Sequence, residues 1–258
     1  EDGSGERCID GWIPFQMTWD LPDNLPEGSV RLNLMPRFVD ARSTSPRKIL
    51  VRAGLAVLAE GYVPEKMDVA VPGQLPEDVA LLENTYPMRL VKETGEKVFQ
   101  LEETLRLPDA APEAAQLIYW HLNPRIQEQR VLADKAVMRG NGNLHVLYRS
   151  TSGQFHSWDF EIPFSQYGEL QEGHSADASA DVAVAVTRLE LEQQDGKNLH
   201  LRTGLTGQYV VEERQLLETV EDAFCPRREL KVSRDVLTLP VVLDSRRETV
   251  TQQQTLQI

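Results

Sequence analysis

The feature that most constrains the fold of this chain is an internal repeat. Ile13-Pro14-Phe15 recurs as Ile162-Pro163-Phe164, an offset of 149 residues. Arg52-Ala53-Gly54-Leu55 recurs as Arg202-Thr203-Gly204-Leu205, an offset of 150. Because the units of a solenoid are only about 20 to 50 residues long, offsets of this size indicate duplicated domains.

A second block of the sequence repeats with an offset of 138. Its six pairs are Glu83 with Glu221, Tyr86 with Phe224, Arg89 with Arg227, Phe99 with Leu237, Leu101 with Leu239, and Leu105 with Leu243. The first block ends in both copies with Tyr-Val, at Tyr62-Val63 and at Tyr209-Val210.

The two copies have unequal flanks. Two predicted strands, 125–139 and 143–150, precede the second Ile-Pro-Phe, whereas only twelve residues precede the first. We therefore expect a window cut from a longer modular protein. The predicted parts are a partial module (1–64), connecting strands (65–112), a near-complete module (113–214), and connecting strands that lead to a truncated further module (215–258).

Apolar residues alternate with a period of two, which predicts β-strands. Leu144, Val146 and Tyr148 share one face of such a strand. The segment 140–143, Gly-Asn-Gly-Asn, predicts a tight hairpin turn before that strand. A second turn at 150–153 leads into an aromatic strand over 155–164.

Irregularities in this pattern predict bends and edges. Val182, Val184 and Val186 have the opposite parity to Leu189 and Leu191, which indicates a β-bulge.

Two further features complete the predicted fold. Pro36 interrupts the equivalent strand of the first copy, and this predicts an edge strand because proline cannot donate a ladder hydrogen bond. Asp195-Gly196 predicts a turn, and 112–117 and 214–220 predict short helices. The expected fold is all-β, with antiparallel β-sandwich-like modules in tandem and one or two short helices.

Charge narrows the classes of partner. The chain has 27 basic and 40 acidic residues, a net charge of −13, which excludes a nucleic-acid binder because counterion release requires a basic face. No apolar run is long enough to predict membrane insertion. Cys8 and Cys225 belong to no paired motif, so two lone thiols in a reducing compartment fit at least as well as one disulfide.

No motif for catalysis, metal binding or a cofactor is found. The five histidines lack metal-ligand spacing, and no phosphate-binding or nucleophile motif occurs. The best candidates for a ligand platform are the aromatic residues Trp120, Trp158 and Tyr167. A core role for such large aromatic side chains is the favoured interpretation.

The stretch 142–170 resembles the SPOCS domain. The residues that carry the likeness are Leu144-His145-Val146-Leu147-Tyr148, then Gly153, then Phe160-Glu161-Ile162-Pro163-Phe164-Ser165-Gln166-Tyr167. This family occurs in SipL-like spore coat and cortex assembly proteins of spore-forming Bacillota. The likeness extends from about Gln116 through the strand at 199–210.

The resemblance implies a non-enzymatic structural or interaction module in spore envelope (coat) assembly. It implies a protein partner, from the coat basement or elsewhere in the spore envelope. It also implies a location in the mother-cell cytoplasm at the forespore surface, or in the spore coat. The alternative is a carbohydrate-binding β-sandwich of a cell-surface protein, with the three aromatic residues as its platform.

Overall fold

The computed structural model describes residues 14–18, 29–63 and 78–233, together with positions 20, 23, 25, 66, 70 and 236. All regular structure in these residues is β. The strands are β1 (Val30–Ser45), β2 (Lys48–Gly61), β3 (Ala80–Arg106), β4 (Ala114–Leu132), β5 (Lys135–Ser150), β6 (Phe155–Glu169), β7 (Ser179–Gln193) and β8 (Asn198–Phe224). The expected all-β class with antiparallel sheets is confirmed.

The strands form three sheets, with the orders β1-β2, β3-β8-β7 and β4-β5-β6. The chain divides into two compact units, one made of residues 1–65 and 91–212 and the other of 66–90 and 213–258. The first unit holds the main core, which joins residues of β4–β6 to residues of β7 and β8.

The core follows from the alternation in β5. Every second residue of this strand is buried, from Ala136 to Ser150. Leu144 and Val146 on this face belong to the same buried cluster as Leu199 and Leu201 of β8. Burying one face of each sheet against the other is the arrangement that period-two sequences favour.

The predicted hairpin turn at 140–143 is wrong. These residues lie in the middle of β5, and the turn falls at 133–134, where Ala133 has a φ of 48°. The predicted strand over 125–139 is therefore two strands. Gly140 and Gly142 serve close packing instead, since a Cβ on Gly140 would clash with the backbone of Arg125, and one on Gly142 with the side chain of Leu122.

Two other turns are confirmed. Gly153 has a φ of 86°, which favours glycine, and it leads into β6. Between β7 and β8, Asp195 accepts hydrogen bonds from the backbone N–H groups of Lys197 and Asn198 (both 2.7 Å). The side chain of Asn198 also donates a hydrogen bond to Asp195. This bond is the largest cause, and the two backbone bonds are the next, that hold the pKa of Asp195 below its usual value.

Both predicted helices are wrong, because their segments are extended. Residues 114–117 begin β4, where Ala114 N–H donates to the carbonyl of Gly196 (2.7 Å). Residues 214–220 continue β8, and Val220 N–H donates to the carbonyl of Ala70 (2.9 Å). A helix of six or seven residues is marginal by itself, so pairing with other segments of the chain prevails.

The repeat is visible in strand register. In the β1–β2 hairpin, Val30 pairs with Gly61 and Phe38 pairs with Gly54. In the β7–β8 hairpin the residues 150 positions later pair in the same way, Ala180 with Val211 and Arg188 with Gly204. The register shifts at Pro36/Phe38 and at Val186/Arg188 also correspond. The predicted bulge in β7 is confirmed.

Edge strands carry the prolines. Pro36 lies in β1, which pairs only with β2 among the described residues, as the sequence predicts. Pro87, Pro124 and Pro163 lie in β3, β4 and β6, which are also edge strands. The central strands β5 and β8 contain none. Proline at an edge removes a donor that would otherwise recruit another strand.

The second unit has its own contacts. Tyr86 and Asn84 of β3 both donate to the carboxylate of Glu221 in β8. Arg228 pairs with Asp78 (2.7 Å), and Cys225 is a buried free thiol. The repeat partners Leu237, Leu239 and Leu243, and Cys8, lie outside the described residues.

Candidate interaction surfaces

Trp120 and Trp158 lie in one row across the inner face of the β4–β5–β6 sheet. Val146 of β5 pairs with Trp120 on one side and with Trp158 on the other. Val146 is fully buried, Trp120 is half-buried against the core, and Trp158 is 40% exposed. The row therefore runs from the core towards its margin.

Tyr167 lies on the opposite face of the same sheet. It pairs with Val137, whose side chain has the other parity from the buried residues of β5. The ammonium of Lys135 lies 4.7 Å from the ring centroid of Tyr167, and that of Lys97 lies 5.7 Å from it. Both distances are within the range of a cation–π interaction.

The three predicted platform residues thus do not come together. Two of them belong to an inner row and the third to the outer face, and the third already has cations over its ring. A sugar platform requires aromatic rings that are free on one surface, and this set does not provide one. The proposed platform stays a prediction without geometric support.

The outer face of the β4–β5–β6 sheet carries cross-strand polar pairs. His145 Nδ1 lies 2.6 Å from a carboxylate oxygen of Asp159, its partner in the register. Nearby, the amide of Asn141 donates diagonally to Glu161 (3.4 Å), whose direct partner in the register is Asn143. Direct and diagonal cross-strand pairs of this kind stabilise a sheet, and their polar groups keep its outer face hydrated. The sequence alternation predicts this face, although not its pairing.

A cluster around Glu102 joins β3 to β8. The Glu102 carboxylate accepts hydrogen bonds from Arg202 Nε (3.1 Å) and lies 2.9 Å from His200 Nε2. These contacts hold the pKa of Glu102 below its usual range, with the Arg202 bond as the larger cause. The cluster links β3, the third strand of the sheet, to β8 by exposed contacts.

A second carboxylate, Glu93, anchors the loop between β6 and β7. Its oxygens accept two hydrogen bonds from the backbone N–H of Gln171 (2.9 and 3.0 Å), and His174 Nε2 lies 3.4 Å away. The side chains of Glu93 and His174 are largely buried. A buried carboxylate with several donors is a structural clamp of a loop.

The β1–β2 hairpin presents an apolar surface that the sequence analysis missed. We call this surface the hairpin face, and it consists of Val30, Leu32, Leu34, Val39, Ile49, Val51, Leu55 and Val57. Five of these residues are exposed. Alignment of each residue with its counterpart 150 positions later would have shown that seven of the eight positions are also apolar in the second copy, and the structure shows that five of those counterparts are buried.

The hairpin is also basic, in contrast to the rest of the chain. Residues 30–61 contain six basic and two acidic residues, against 21 and 38 elsewhere. Arg31, Arg42 and Arg52 have the other parity from the hairpin face. The side opposite the hairpin face is therefore mixed, since it carries these arginines together with the exposed apolar residues Met35, Phe38 and Leu58.

Within the part of the chain that the structure describes, no group of three or more His, Cys, Asp or Glu residues is placed to hold a metal ion. The same residues contain no helix that is long and apolar enough to cross a membrane.

The decisive likeness covers the strands β4 to β7. Residues 113–193 match the family model described as SipL, SPOCS domain. This segment is similar to the SPOCS domain. The match begins one residue before β4 and ends with the last residue of β7. The SipL family is associated with sporulation, so the match indicates a sporulation-related protein. No curated protein and no solved structure is significantly similar to the chain.

Proposed function

We propose that this chain is a non-enzymatic structural and interaction module that binds a protein partner during assembly of the spore envelope. The observation that carries the proposal is the likeness to the SPOCS domain, whose matched segment coincides with four consecutive strands of the folded core. The acidic surface keeps such a module soluble. The proposed location is the mother-cell cytoplasm at the forespore surface, or the spore coat.

The described surfaces favour contact through sheet faces. Strand addition requires an edge with free backbone donors, but prolines interrupt four of the edge strands, β1, β3, β4 and β6. The exposed side chains of Leu32, Ile49 and Val51, in contrast, offer apolar area at one face. A partner that binds by a face avoids the interrupted edges.

Affinity capture tests the proposal. The intact chain is used as bait in lysates of sporulating cells and of vegetative cells, and captured proteins are quantified by mass spectrometry. The matched control is the same bait with Leu199→Asp, which places an unpaired charge in the buried core and so unfolds the domain. We expect a coat-basement or other spore envelope protein to be enriched only with the folded bait and only in sporulating cells. The proposal is abandoned if no such protein is enriched.

A further inference from the structure

Two histidines and a carboxylate form one row across the outer face of the β4–β5–β6 sheet. In the register, His145 of β5 lies opposite His121 of β4 on one side and opposite Asp159 of β6 on the other. Leu144 and Val146, the neighbours of His145 in the chain, are fully buried, so alternation turns His145 outwards. The sequence does not reveal this row, because its members belong to three different strands.

The carboxylate of this row sets the orientation of one imidazole. His145 Nδ1 lies 2.6 Å from a carboxylate oxygen of Asp159, which is hydrogen-bonding distance. An ionised carboxylate only accepts hydrogen bonds, so Nδ1 carries the proton, and the lone pair of the neutral ring is then at Nε2. Histidines that bind metals usually have such a second-shell partner, which fixes the tautomer and the ring orientation. His145 is therefore held in the form that binds a metal ion through Nε2.

The second imidazole is close enough to share that ion. Side chains that lie directly opposite each other on neighbouring strands have Cβ atoms about 4.5–5.5 Å apart, and a zinc–imidazole bond is about 2.0–2.1 Å long. Two such rings can therefore converge on one ion between their strands. His121 is exposed, so its ring can turn towards His145 without displacing core residues. A simple polar pair would need only His145 and Asp159, and it would give His121 no role.

We propose that His121 and His145 together bind one divalent transition-metal ion of the zinc type, with Asp159 as the second-shell partner of His145. Imidazole nitrogen suits zinc, copper and nickel, whereas Mg²⁺ and Ca²⁺ take oxygen ligands. The site has two protein ligands and open positions for water, since in the described ranges no group of three or more His, Cys, Asp or Glu residues is placed to hold a metal ion. It goes beyond the proposed function, because it assigns a ligand to this face whichever partner the module binds.

The remaining histidines provide controls, because none of them lies on this face. His156 is on the inner face of the same sheet. Nε2 of His174 lies 3.4 Å from a carboxylate oxygen of Glu93, and Nε2 of His200 lies 2.9 Å from one of Glu102. His200 is the matched control, since it also lies beside a carboxylate but belongs to the other three-stranded sheet.

Calorimetry tests the site with Zn²⁺ alone, titrated into the intact natural chain and into single variants. We expect one zinc ion per natural chain. His121→Gln and His145→Gln should each weaken binding at least tenfold because each removes a ligand, and Asp159→Asn should weaken it about tenfold because it removes the second-shell partner. His200→Gln should leave binding within twofold. The absence of saturable binding to the natural chain overturns the proposal, and so does an equal loss in His200→Gln.

A second readout reports on each imidazole separately. Diethylpyrocarbonate acylates neutral imidazole nitrogen, and peptide mass gives the rate of modification at each histidine of the natural chain. Zn²⁺ should slow modification at positions 121 and 145 at least fivefold and leave position 200 unchanged. Protection of neither position, of only one of the two, or of all three equally overturns the proposal.

Discussion

The β1–β2 and β7–β8 hairpins have the same register and the same bulge, yet they differ in almost everything that surrounds them. The β7–β8 hairpin gains a third strand, β3, and a covering sheet, whereas among the described residues β1 and β2 form a sheet of two strands. The inner-face side chains of the β7–β8 hairpin are mostly buried, whereas most of the equivalent side chains of the β1–β2 hairpin are exposed. The comparison teaches that strand pairing and core burial are separately encoded, since the same local pattern tolerates both surroundings.

The largest expected difference lies in matched truncations of the two hairpins. Leu199→Ala should lower the free energy of unfolding by about 3 kcal/mol, because it leaves a cavity in the core. Ile49→Ala at the equivalent position, which is 61% exposed, should cost less than about 0.5 kcal/mol. Urea unfolding followed by circular dichroism measures both. Equal losses would show that the first hairpin is as well packed as the second.

A glycine gives the next largest difference. Gly207→Ala should cost about 2 kcal/mol because the new methyl group meets Met138 in a packed core. In a Met138→Ala background, the change Gly207→Ala should cost less than in the natural chain, and a double-mutant cycle in thermal unfolding measures this difference. An equal cost in both backgrounds would show that the space at position 207 does not depend on Met138.

The bulges themselves differ by one hydrogen bond. Thr203 Oγ1 donates to the carbonyl of Arg188 (2.8 Å), and Thr203→Val should cost about 1 kcal/mol because it removes the donor from a buried site. The counterpart of Thr203 is the exposed Ala53. Ala53→Thr should gain less than Thr203→Val loses, since water competes for an exposed hydroxyl. Denaturant unfolding measures both changes in the free energy of unfolding. If Ala53→Thr gained more than Thr203→Val loses, burial would not explain why the hydrogen bond stabilises only the second bulge.

The smallest effect concerns the third strand. The pKa of Glu102 is lowered in the folded chain, so its contribution to stability is complete above the ordinary value of 4.5 and is lost as the pH falls through the lowered value. Glu102→Gln should slightly reduce the melting temperature at pH 7, and the difference should shrink as the pH falls below 4.5. If the difference in melting temperature between the natural chain and Glu102→Gln grew as the pH fell, the ionised Glu102 carboxylate would not be what stabilises this contact. The control is Arg106→Gln, which removes an exposed ion pair with Asp109, three residues away in the sequence. This control should change the melting temperature little at any pH.

Sequence patterns predicted the strands and the bulge because they depend on local alternation. The parity change between Val186 and Leu189 located the bulge in β7. Its equivalent at Pro36/Phe38 was not predicted, because the proline there indicated only an edge strand. The glycines misled the prediction, since Gly140 and Gly142 are needed where β4 and β6 side chains and backbone come close to β5. That need arises only from tertiary packing, and it has the same sequence signature as a turn.

The candidate surfaces were less predictable for the same reason. Trp158 has the parity of the buried Ile162 and Phe164, so alternation could have placed it on the inner face. Nothing local, however, indicates that Trp120 would share its row across Val146. Tyr167 was grouped with them because of its residue type, while its parity already separated it. The hairpin face could have been found from the repeat, since all of its residues except Val57 have an apolar counterpart 150 positions later.

The pairing of β3 with β8 has a consequence for how the chain is made. Glu102 and its partner Arg202 are 100 residues apart. At a synthesis rate of about 5 to 20 residues per second, β3 leaves the ribosome roughly 5 to 20 seconds before its partner strand. During this interval Phe99 has no completed core to enter, whereas β4, β5 and β6 pair with close neighbours as soon as they emerge. Newly made chains therefore pass through a stage in which β3 has been synthesised but its partner strand β8 has not. At that stage Pro87 limits the pairing of β3 with other nascent chains.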